Sequence, residues 1–347
     1  MADYTTIDNP AKHFNTLLYS GNGSNPRTLT GVGFQPDWVW QKNRTDTNGH
    51  TLADAVRGAN KTLSSDGTGA EVTDKSDGHL DAFTSDGFTV GAGSSSDARV
   101  NDGSHTYVAW NWLGANGTAS NSDGSITATV SANQTAGFSI VSWTHDGGNS
   151  TIGHGLGVAP KMIITKERNS TGSWNTFHAT TGNGHRLVLQ GTNAKISTSV
   201  WNSTSPTSSV FSFNDGLTST MIAYCFAEKQ GYSKFGGWTG TGQSSGPFIY
   251  TGFRPAFLSW KMTSSTENWY IDDNKREPFN DDAMTVLYPN LSNADGALND
   301  EIDLLSNGFK INGTNSAHNT DGATYIYWAF AEHPFVTSGT KAAGTAR

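Results

Sequence analysis

The sequence predicts an all-β protein built from three tandem, diverged β-sandwich-like modules, of which a lectin-like jelly roll is one form. Two observations predict it: the composition, and two motifs that each occur three times. Of the 347 residues only 15% are charged, while 40 are Gly, 11 Trp, 10 Tyr and 17 Phe. Disordered chains are poor in aromatic residues, whereas short strands with aromatic cores and polar loops have this composition. The length also exceeds what one hydrophobic core usually fills, which favours several modules.

The first motif opens each module and reads Gly, apolar, any, Pro, any, large apolar, aliphatic, two free positions, Lys. It occurs at residues 33–42, 157–166 and 252–261. Proline lacks an N–H and suits the first position of a strand, so each motif predicts a turn that leads into a core strand. A residue kept in every copy most simply builds the fold. We therefore expect a structural role for the final lysines, Lys42, Lys166 and Lys261.

The second motif closes each module with an aromatic-rich strand after an Asp-Gly turn. It occurs at residues 106–112, 220–226 and 324–330. Alternate side chains share a face and both faces are largely apolar, as in a strand at the centre of a packed sheet. Equivalent positions are predicted for Tyr107, Met221 and Tyr325. Burial is predicted for Val108, Trp110, Ile222, Tyr224, Ile326 and Trp328.

The spacing of the motifs divides the chain into modules of similar length. We predict β module 1 at residues 1–120, β module 2 at 121–232, β module 3 at 233–336 and a C-terminal tail at 337–347. A stretch rich in Gly, Asn and Ser at residues 114–124 is typical of a linker, which supports the first boundary.

Charge and targeting signals exclude several partners. The formal net charge of −8 disfavours nucleic acid and anionic membranes, since both attract basic surfaces. No apolar run is long enough for membrane insertion, and the first residues lack the features of a secretory signal, so we expect synthesis in a cytosol. The single cysteine, Cys225, excludes an intrachain disulfide. Motifs for nucleotide, phosphate or zinc do not occur, so no cofactor is predicted.

Aromatic residues outside the repeated pattern are the candidates for ligand binding or subunit contact, because sugars stack on exposed rings. They are Trp143, Trp174, Trp201, Trp238 and Trp269. The alternative for each is packing in a core. Aromatic residues exceed what three modules need for their own cores, so some are expected to be exposed in an isolated subunit and covered by neighbouring chains. Trp174, Trp201 and Trp269 are the first choices.

The richest acidic segment is a candidate for Ca²⁺, which prefers carboxylate oxygens. Its acids are Asp272, Asp273, Asp281 and Asp282. Lys275 and Arg276 lie within the segment and favour the alternative, a self-neutralised exposed loop. We therefore expect Asp272 and Asp273 in exposed loops and not across a cleft. No catalytic residue is predicted.

Five segments spread over the three modules carry a resemblance to a known group of proteins. They are residues 14–23, 31–40, 136–141, 153–164 and 328–335. These segments resemble modules of virion structural proteins, often labelled tail fibres, of tailed bacteriophages that infect marine bacteria and cyanobacteria. The resemblance implies synthesis in the host cytoplasm, a location on the virion and other virion proteins as partners. Because phage appendages are commonly homotrimeric, it also favours a homo-oligomer, with a trimer first. It supplies no binding residue.

Three functions remain open. The first is a tail fibre or surface appendage subunit that attaches the phage to its host, with a host-surface glycan as the target. The second is a capsid-decorating or head-fibre protein, and the third is a glycan depolymerase, although the sequence does not predict an enzyme. Residues 2–13 and those from Val336 onward lie outside the repeats. Neighbouring chains are expected to hold them.

Overall fold

The computed structural model describes residues 4–95, 99–280, 283–299 and 302–338. It is nearly all β, with 46% of residues in strands and 2% in helices, so the predicted all-β class is confirmed. The helical residues described are a 3₁₀ turn at Pro10–Lys12 and one short helix, α1, at Ser316–Asn319. The strands form three successive units.

Unit 1 consists of two sheets. Its strands are β1 (Phe14–Ser20), β2 (Arg27–Thr30), β3 (Trp38–Asn43), β4 (Thr51–Asp54), β5 (His79–Thr84), β6 (Gly87–Gly91) and β7 (Thr106–Trp112). The inner sheet has the order β1-β7-β3-β4, and the outer sheet has the order β2-β6-β5.

Unit 2 has a larger sheet and only a two-stranded partner. Its strands are β8 (Ala119–Asn121), β9 (Ala128–Asn133), β10 (Phe138–Asp146), β11 (Ser150–Gly153), β12 (Met162–Glu167), β13 (Asn175–His178), β14 (His185–Val188), β15 (Ile196–Ser197), β16 (Val210–Phe213) and β17 (Thr218–Phe226). The large sheet has the order β15-β14-β13-β12-β17-β10-β9-β8, and β11 pairs with β16.

Unit 3 again has an inner and an outer sheet. Its strands are β18 (Ser233–Thr239), β19 (Ser245–Tyr250), β20 (Phe253–Met262), β21 (Trp269–Asp273), β22 (Ala283–Val286), β23 (Gly296–Asn299), β24 (Ile302–Leu305), β25 (Gly308–Asn312) and β26 (Thr324–Pro334). The inner order is β18-β26-β20-β21, the outer order is β19-β25-β24, and β22 pairs with β23.

One antiparallel strand order thus occurs in all three units, with the closing strand β7, β17 or β26 between two neighbours. The register relates single residues. Lys42 lies opposite Val108, Lys166 opposite Ile222, and Lys261 opposite Ile326. The preceding residues of the closing strands, Tyr107, Met221 and Tyr325, likewise share one position. Residues that share a register position in the three units are termed equivalent below.

The inner faces of the three sheets meet in one shared core. Rings of different units contact each other there: Trp38 stacks on Tyr224 with ring centroids 4.3 Å apart, and Trp112 lies parallel to Trp328 at 6.2 Å. Behind its inner sheet, each unit also has a smaller core of its own. The shared core accounts for the excess of aromatic residues. The predicted burial is confirmed for Val108, Trp110, Ile222, Tyr224, Ile326 and Trp328.

The three repeated lysines are buried and hold the backbone at the end of a strand. In Lys42, Lys166 and Lys261 the ammonium group donates to the carbonyl of the next residue, at 2.7, 2.6 and 2.7 Å. Burial lowers the pKa of Lys166 and of Lys261 to about 8. The structural role predicted for these lysines is confirmed.

Equivalent backbone hydrogen bonds join each unit to the next and close the units into a ring. Donor amide and acceptor carbonyl are Glu71 and Arg168 at 2.7 Å, Lys195 and Thr263 at 3.0 Å, and Asp295 and Arg44 at 2.8 Å. These three contacts are named seam 1–2, seam 2–3 and seam 3–1, after the units they join.

A nitrogen-containing ring takes a second equivalent position at each seam. The ring nitrogen and the backbone oxygen across the seam are Trp174 Nε1 and Ser64 O at 2.9 Å, Trp269 Nε1 and Val188 O at 3.0 Å, and His50 Nε2 and Tyr288 O at 2.9 Å. Burial lowers the pKa of His50 to about 4, so the neutral imidazole makes this contact.

Seam 1–2 contains a network of buried charges. Asp54 and Arg57 form an ion pair with fully buried side chains, and Tyr224 of unit 2 donates to the same carboxylate at 2.8 Å. Glu71 then bonds Arg57 at 3.3 Å and Arg168 of unit 2 at 3.0 Å. One chain of charge-assisted bonds therefore crosses the seam.

Seam 3–1 repeats this network with equivalent residues. Asp273 and Arg276 form the buried pair at 2.6 Å, and Trp110 of unit 1 donates to Asp273 at 3.0 Å. Asp295 bonds Arg276 at 3.1 Å and Arg44 of unit 1 at 2.6 Å.

Seam 2–3 keeps the backbone bond but has none of these ion pairs among its described residues. His178 takes the position of the aspartate, Thr181 that of its arginine partner, and Thr263 that of the arginine across the seam. Burial lowers the pKa of His178 to about 4, and its Nε2 lies 3.1 Å from Tyr327 O of unit 3.

The chain itself supplies contacts for both of its ends. Ile7 is buried in the shared core, and Thr5 donates to Gln230 O at 2.7 Å. The amide of Ser338 donates to Asp8 at 2.6 Å. The described residues of the two segments are therefore held by contacts within the chain, and contacts with neighbouring chains stay a prediction. Residues 1–3 and 339–347 lie outside those described.

Candidate functional site

The predicted binding tryptophans are all buried inside the chain: Trp143, Trp174, Trp201, Trp238 and Trp269. Trp174 and Trp269 lie at seams, where the adjoining unit covers them. Trp201 donates to His185 O at 3.0 Å inside unit 2, and Trp238 stacks against its own unit's closing strand. The expected exposure of Trp174, Trp201 and Trp269 in an isolated subunit is wrong, because units of the same chain cover them. The sequence did not reveal that Trp174 and Trp269 occupy equivalent positions, because the residue at this position in unit 1 is a histidine, His50.

The acidic segment is also placed differently from the prediction. Asp272 and Asp273 are buried at the end of β21, so the expectation of exposed loops is wrong for both. Asp273 is held by Arg276, while burial, against the attraction of Arg276, raises the pKa of Asp272 to about 8. Asp281 and Asp282 lie outside the described residues. Within the described part of the chain, no group of three or more His, Cys, Asp or Glu side chains is placed to hold a metal ion.

Two exposed aromatic rings stand side by side on one strand of unit 3. The large apolar side chains exposed in the described residues are Val72, Val158, Leu217, Phe248, Tyr250 and Phe279. Phe248 is 46% exposed and Tyr250 is 53% exposed. They alternate along β19, so both project from the outer side of the β19-β25-β24 sheet. This surface, with Lys310, Asp303 and Asn312 on the neighbouring strands, is named the aromatic face.

Hydrogen-bonding groups flank the rings on the same side of the sheet. Lys310 lies opposite Phe248, and Asp303 lies opposite Lys310 on the next strand. Lys310 donates to Ser245 Oγ at 3.1 Å, and Asn312 donates to Asp303 at 2.8 Å. Rings beside fixed donors and acceptors can stack on the C–H face of a sugar and bond its hydroxyl groups.

The backbone beneath the rings leaves no space for another side chain. A Cβ on Gly308, which lies opposite Tyr250, would approach Ile249 O to 2.1 Å and the Phe248 ring to 3.1 Å. Glycine therefore lets the ring lie close against the sheet. The Tyr250 hydroxyl lies 3.2 Å from that of Tyr4, which fixes the outer end of the second ring.

The aromatic face occurs in one unit only. The positions of Phe248 and Tyr250 are occupied by Thr28 and Thr30 on β2 of unit 1, which pairs with β6 as β19 pairs with β25. In unit 2 the paired strands β11 and β16 carry Thr151 and Gly153 there. Sequence reasoning missed this site because it considered tryptophans alone. The signal was available as alternating aromatic residues in the strand before Gly252.

A groove of about 580 Å³ follows the edge strand β8 in unit 2. Its lining is small and polar, with Ser120, Asn121 and Gln134 among the side chains and Asp123 as the charged one. No aromatic ring lines it. It offers hydrogen bonds but no ring on which a sugar could stack, so it is a weaker basis for a sugar-binding site than the aromatic face.

Fold and site together define an all-β protein that exposes two aromatic rings on a closed ring of three units. The chain belongs to the family described as domain of unknown function DUF7483, whose model matches residues 9–334. No curated protein matches the chain. Among the described helices, none has the length and apolar character needed to cross a membrane.

Proposed function

We propose that this chain is a non-enzymatic attachment protein of a bacteriophage virion and that it binds carbohydrate on the host surface through the aromatic face. The observation that carries the proposal is the exposure of Phe248 and Tyr250 side by side on a strand. A sheet holds both rings in place, so binding a sugar orders few additional side-chain rotamers.

The resemblance to phage virion proteins supports the location, and the chemistry of the face supports the ligand. A cation, a carboxylate and an amide lie on the two strands next to the rings, on the same side of the sheet. They belong to Lys310, Asp303 and Asn312. Specific sugar recognition needs such directional partners in addition to apolar area. A capsid-decorating protein would use the same exposed rings against a protein surface, and the experiment separates the two.

The test uses binding of the fluorescently labelled chain to a panel of marine bacteria and cyanobacteria. We expect binding to some strains, competed by polysaccharide released from their envelopes. The double variant Phe248→Ala/Tyr250→Ala should bind at least about tenfold more weakly, since 1.4 kcal/mol of lost contact corresponds to a factor of ten. Both rings are about half exposed, so its melting temperature should stay within a few degrees of the parent's.

The matched control is Thr28→Ala/Thr30→Ala, which changes the equivalent positions of unit 1 and should leave cell binding intact. Binding to no strain, or undiminished binding by the aromatic variant, contradicts the proposal. Immunogold label spread evenly over capsid facets would favour the decorating function instead. Release of reducing sugars from the envelopes would indicate a depolymerase.

A further inference from the structure

The two exposed rings of the aromatic face are spaced along one strand. Phe248 and Tyr250 are separated by a single residue on β19, so their Cα atoms lie about 7 Å apart. Both rings project from the same side of the sheet, and each can stack on the C–H face of one sugar ring. One sugar ring cannot lie flat on two side chains at this separation. A ligand that contacts both rings therefore needs two successive sugar residues.

The apolar area on this side of the sheet is small. Phe248 and Tyr250 are 46% and 53% exposed, which amounts to about 200 Å² together. Phe279 is 68% exposed but lines a separate small cavity with Ile302, whose side chain points to the opposite side of β24 from Asp303. A stable protein interface buries roughly 800 Å² on each partner, more than half of it apolar. The two rings are therefore too small for a protein partner and match a narrow chain.

The charges on this sheet balance each other. The strands β19, β25 and β24 contain two charged residues, Lys310 and Asp303, which are partners in the register and lie on the side of the rings. The whole chain has a net charge of −8, which repels polyanions. The aromatic face therefore has no net charge to attract a sulfated or carboxylated chain, and this favours a neutral ligand.

Each ring also has a hydrogen-bonding group beside it. The hydroxyl groups of Tyr250 and Tyr4 lie 3.2 Å apart in an exposed position at the outer end of the second ring. Lys310, which is half-buried, lies opposite Phe248 on β25. Two sugar residues, one on each ring, would thus both have a polar side chain next to their hydroxyl groups.

We propose that the carbohydrate bound by the aromatic face is a neutral, linear polysaccharide that lies along β19. One sugar residue stacks on Phe248 and the next residue of the chain stacks on Tyr250. This inference rests on the proposed function and adds to it the minimum length and the charge of the ligand. A single sugar residue covers only one ring and is bound more weakly.

The test uses fragments of the envelope polysaccharide that competes for the labelled chain in the cell assay. Partial hydrolysis, size fractionation and anion exchange separate these fragments by length and by charge, and titration calorimetry with the full chain measures their affinities. We expect the competing fragments in the neutral fraction. A trisaccharide should bind at least about tenfold more tightly than the monosaccharide, because 1.4 kcal/mol of added contact corresponds to a factor of ten. Its affinity should change less than about twofold between about 50 mM and about 500 mM NaCl, since salt screens only charged partners.

Single variants separate the contributions of the two rings. Phe248→Ala and Tyr250→Ala should each lower the affinity for the trisaccharide about tenfold, to that of the parent for the monosaccharide. Phe248→Tyr keeps a ring and should lower it less than about threefold. Thr28→Ala and Thr30→Ala are the matched controls in unit 1 and should leave it unchanged. The length series on the parent needs no variant, so it stays valid if one of them is unstable.

Three results would overturn the inference and leave the proposed function standing. They are equal affinities for the monosaccharide and the trisaccharide, competing fragments confined to the acidic fraction, and undiminished trisaccharide binding by a folded Phe248→Ala or Tyr250→Ala variant. If no envelope polysaccharide competes in the cell assay, the proposed function itself fails, and this inference fails with it.

Discussion

Seams 1–2 and 2–3 join the same faces of the fold, yet one contains buried ion pairs and the other does not. In seam 1–2, Asp54, Arg57 and Glu71 connect to Arg168 across the contact. In seam 2–3, every one of these charges is replaced, while the backbone bond from Lys195 to its acceptor remains at 3.0 Å. A seam can therefore form without the buried ion pairs. The charged residues of seam 1–2 are all replaced together in seam 2–3, because the loss of one member of a buried pair would leave the charge of the other uncompensated.

The largest effect is expected from breaking the buried pair in the charged seam. Arg57→Ala leaves Asp54 buried without its cation, which should lower the free energy of unfolding by about 3–5 kcal/mol. The equivalent change in seam 2–3, Thr181→Ala, should cost less than about 1 kcal/mol. Urea unfolding of both variants and the parent measures the difference. Equal losses in the two variants would show that the ion pair contributes nothing particular to its seam.

An intermediate effect is expected when seam 2–3 is exposed to acid. The imidazole of His178 is buried, accepts from the Thr180 amide at 3.2 Å through Nδ1, and has its pKa lowered to about 4. A histidine whose folded pKa lies below the unfolded value near 6.5 contributes stability that is present above pH 6.5 and lost as the pH falls toward 4. The parent should therefore lose up to about 3 kcal/mol relative to His178→Gln over this window.

Other buried groups do not obscure this comparison. His50 titrates in the same direction, and Asp37 and Asp272, whose pKa values burial raises to about 6 and about 8, titrate in the opposite direction. All three are present in both proteins and cancel in the difference. Thermal melts at several pH values between 4 and 7 provide the measurement. Parallel curves for parent and variant would contradict the prediction.

The smallest effect is expected at the outer end of seam 3–1. The Arg44–Asp295 pair has side chains 23% and 15% exposed, so Arg44→Ala should cost at most about 1 kcal/mol at low salt. Salt screens such a pair, and the cost should shrink in 1 M NaCl. Thr263→Ala, the equivalent change in seam 2–3, removes no charge and should show a cost that salt leaves unchanged. A salt-independent cost for Arg44→Ala would contradict an electrostatic origin.

Periodicity and repetition predicted the parts of the fold that depend on local pattern. The alternation of apolar residues predicted the burial of Trp110 and Trp328, and the threefold repetition predicted the structural role of Lys166. The arrangement of the three units in a closed ring could not be predicted in the same way. An excess of aromatic residues indicates a large interface, but it does not indicate whether one chain or several chains form that interface. His50 and Trp174 share a position that only the register reveals. The aromatic face was within reach of the sequence, since Phe248 and Tyr250 alternate as side chains do on one side of a strand.

Closing three units into a ring within one polypeptide has a genetic consequence. In a symmetric trimer of separate chains, a single codon change appears at three places at once, and each surface must suit all three. In this chain a mutation changes one unit and leaves the other two as they were. Phe248 and Tyr250 can therefore occupy positions at which unit 1 has Thr28 and Thr30. The shared core holds the three units together, and the residues of each outer surface can change independently of those of the other two.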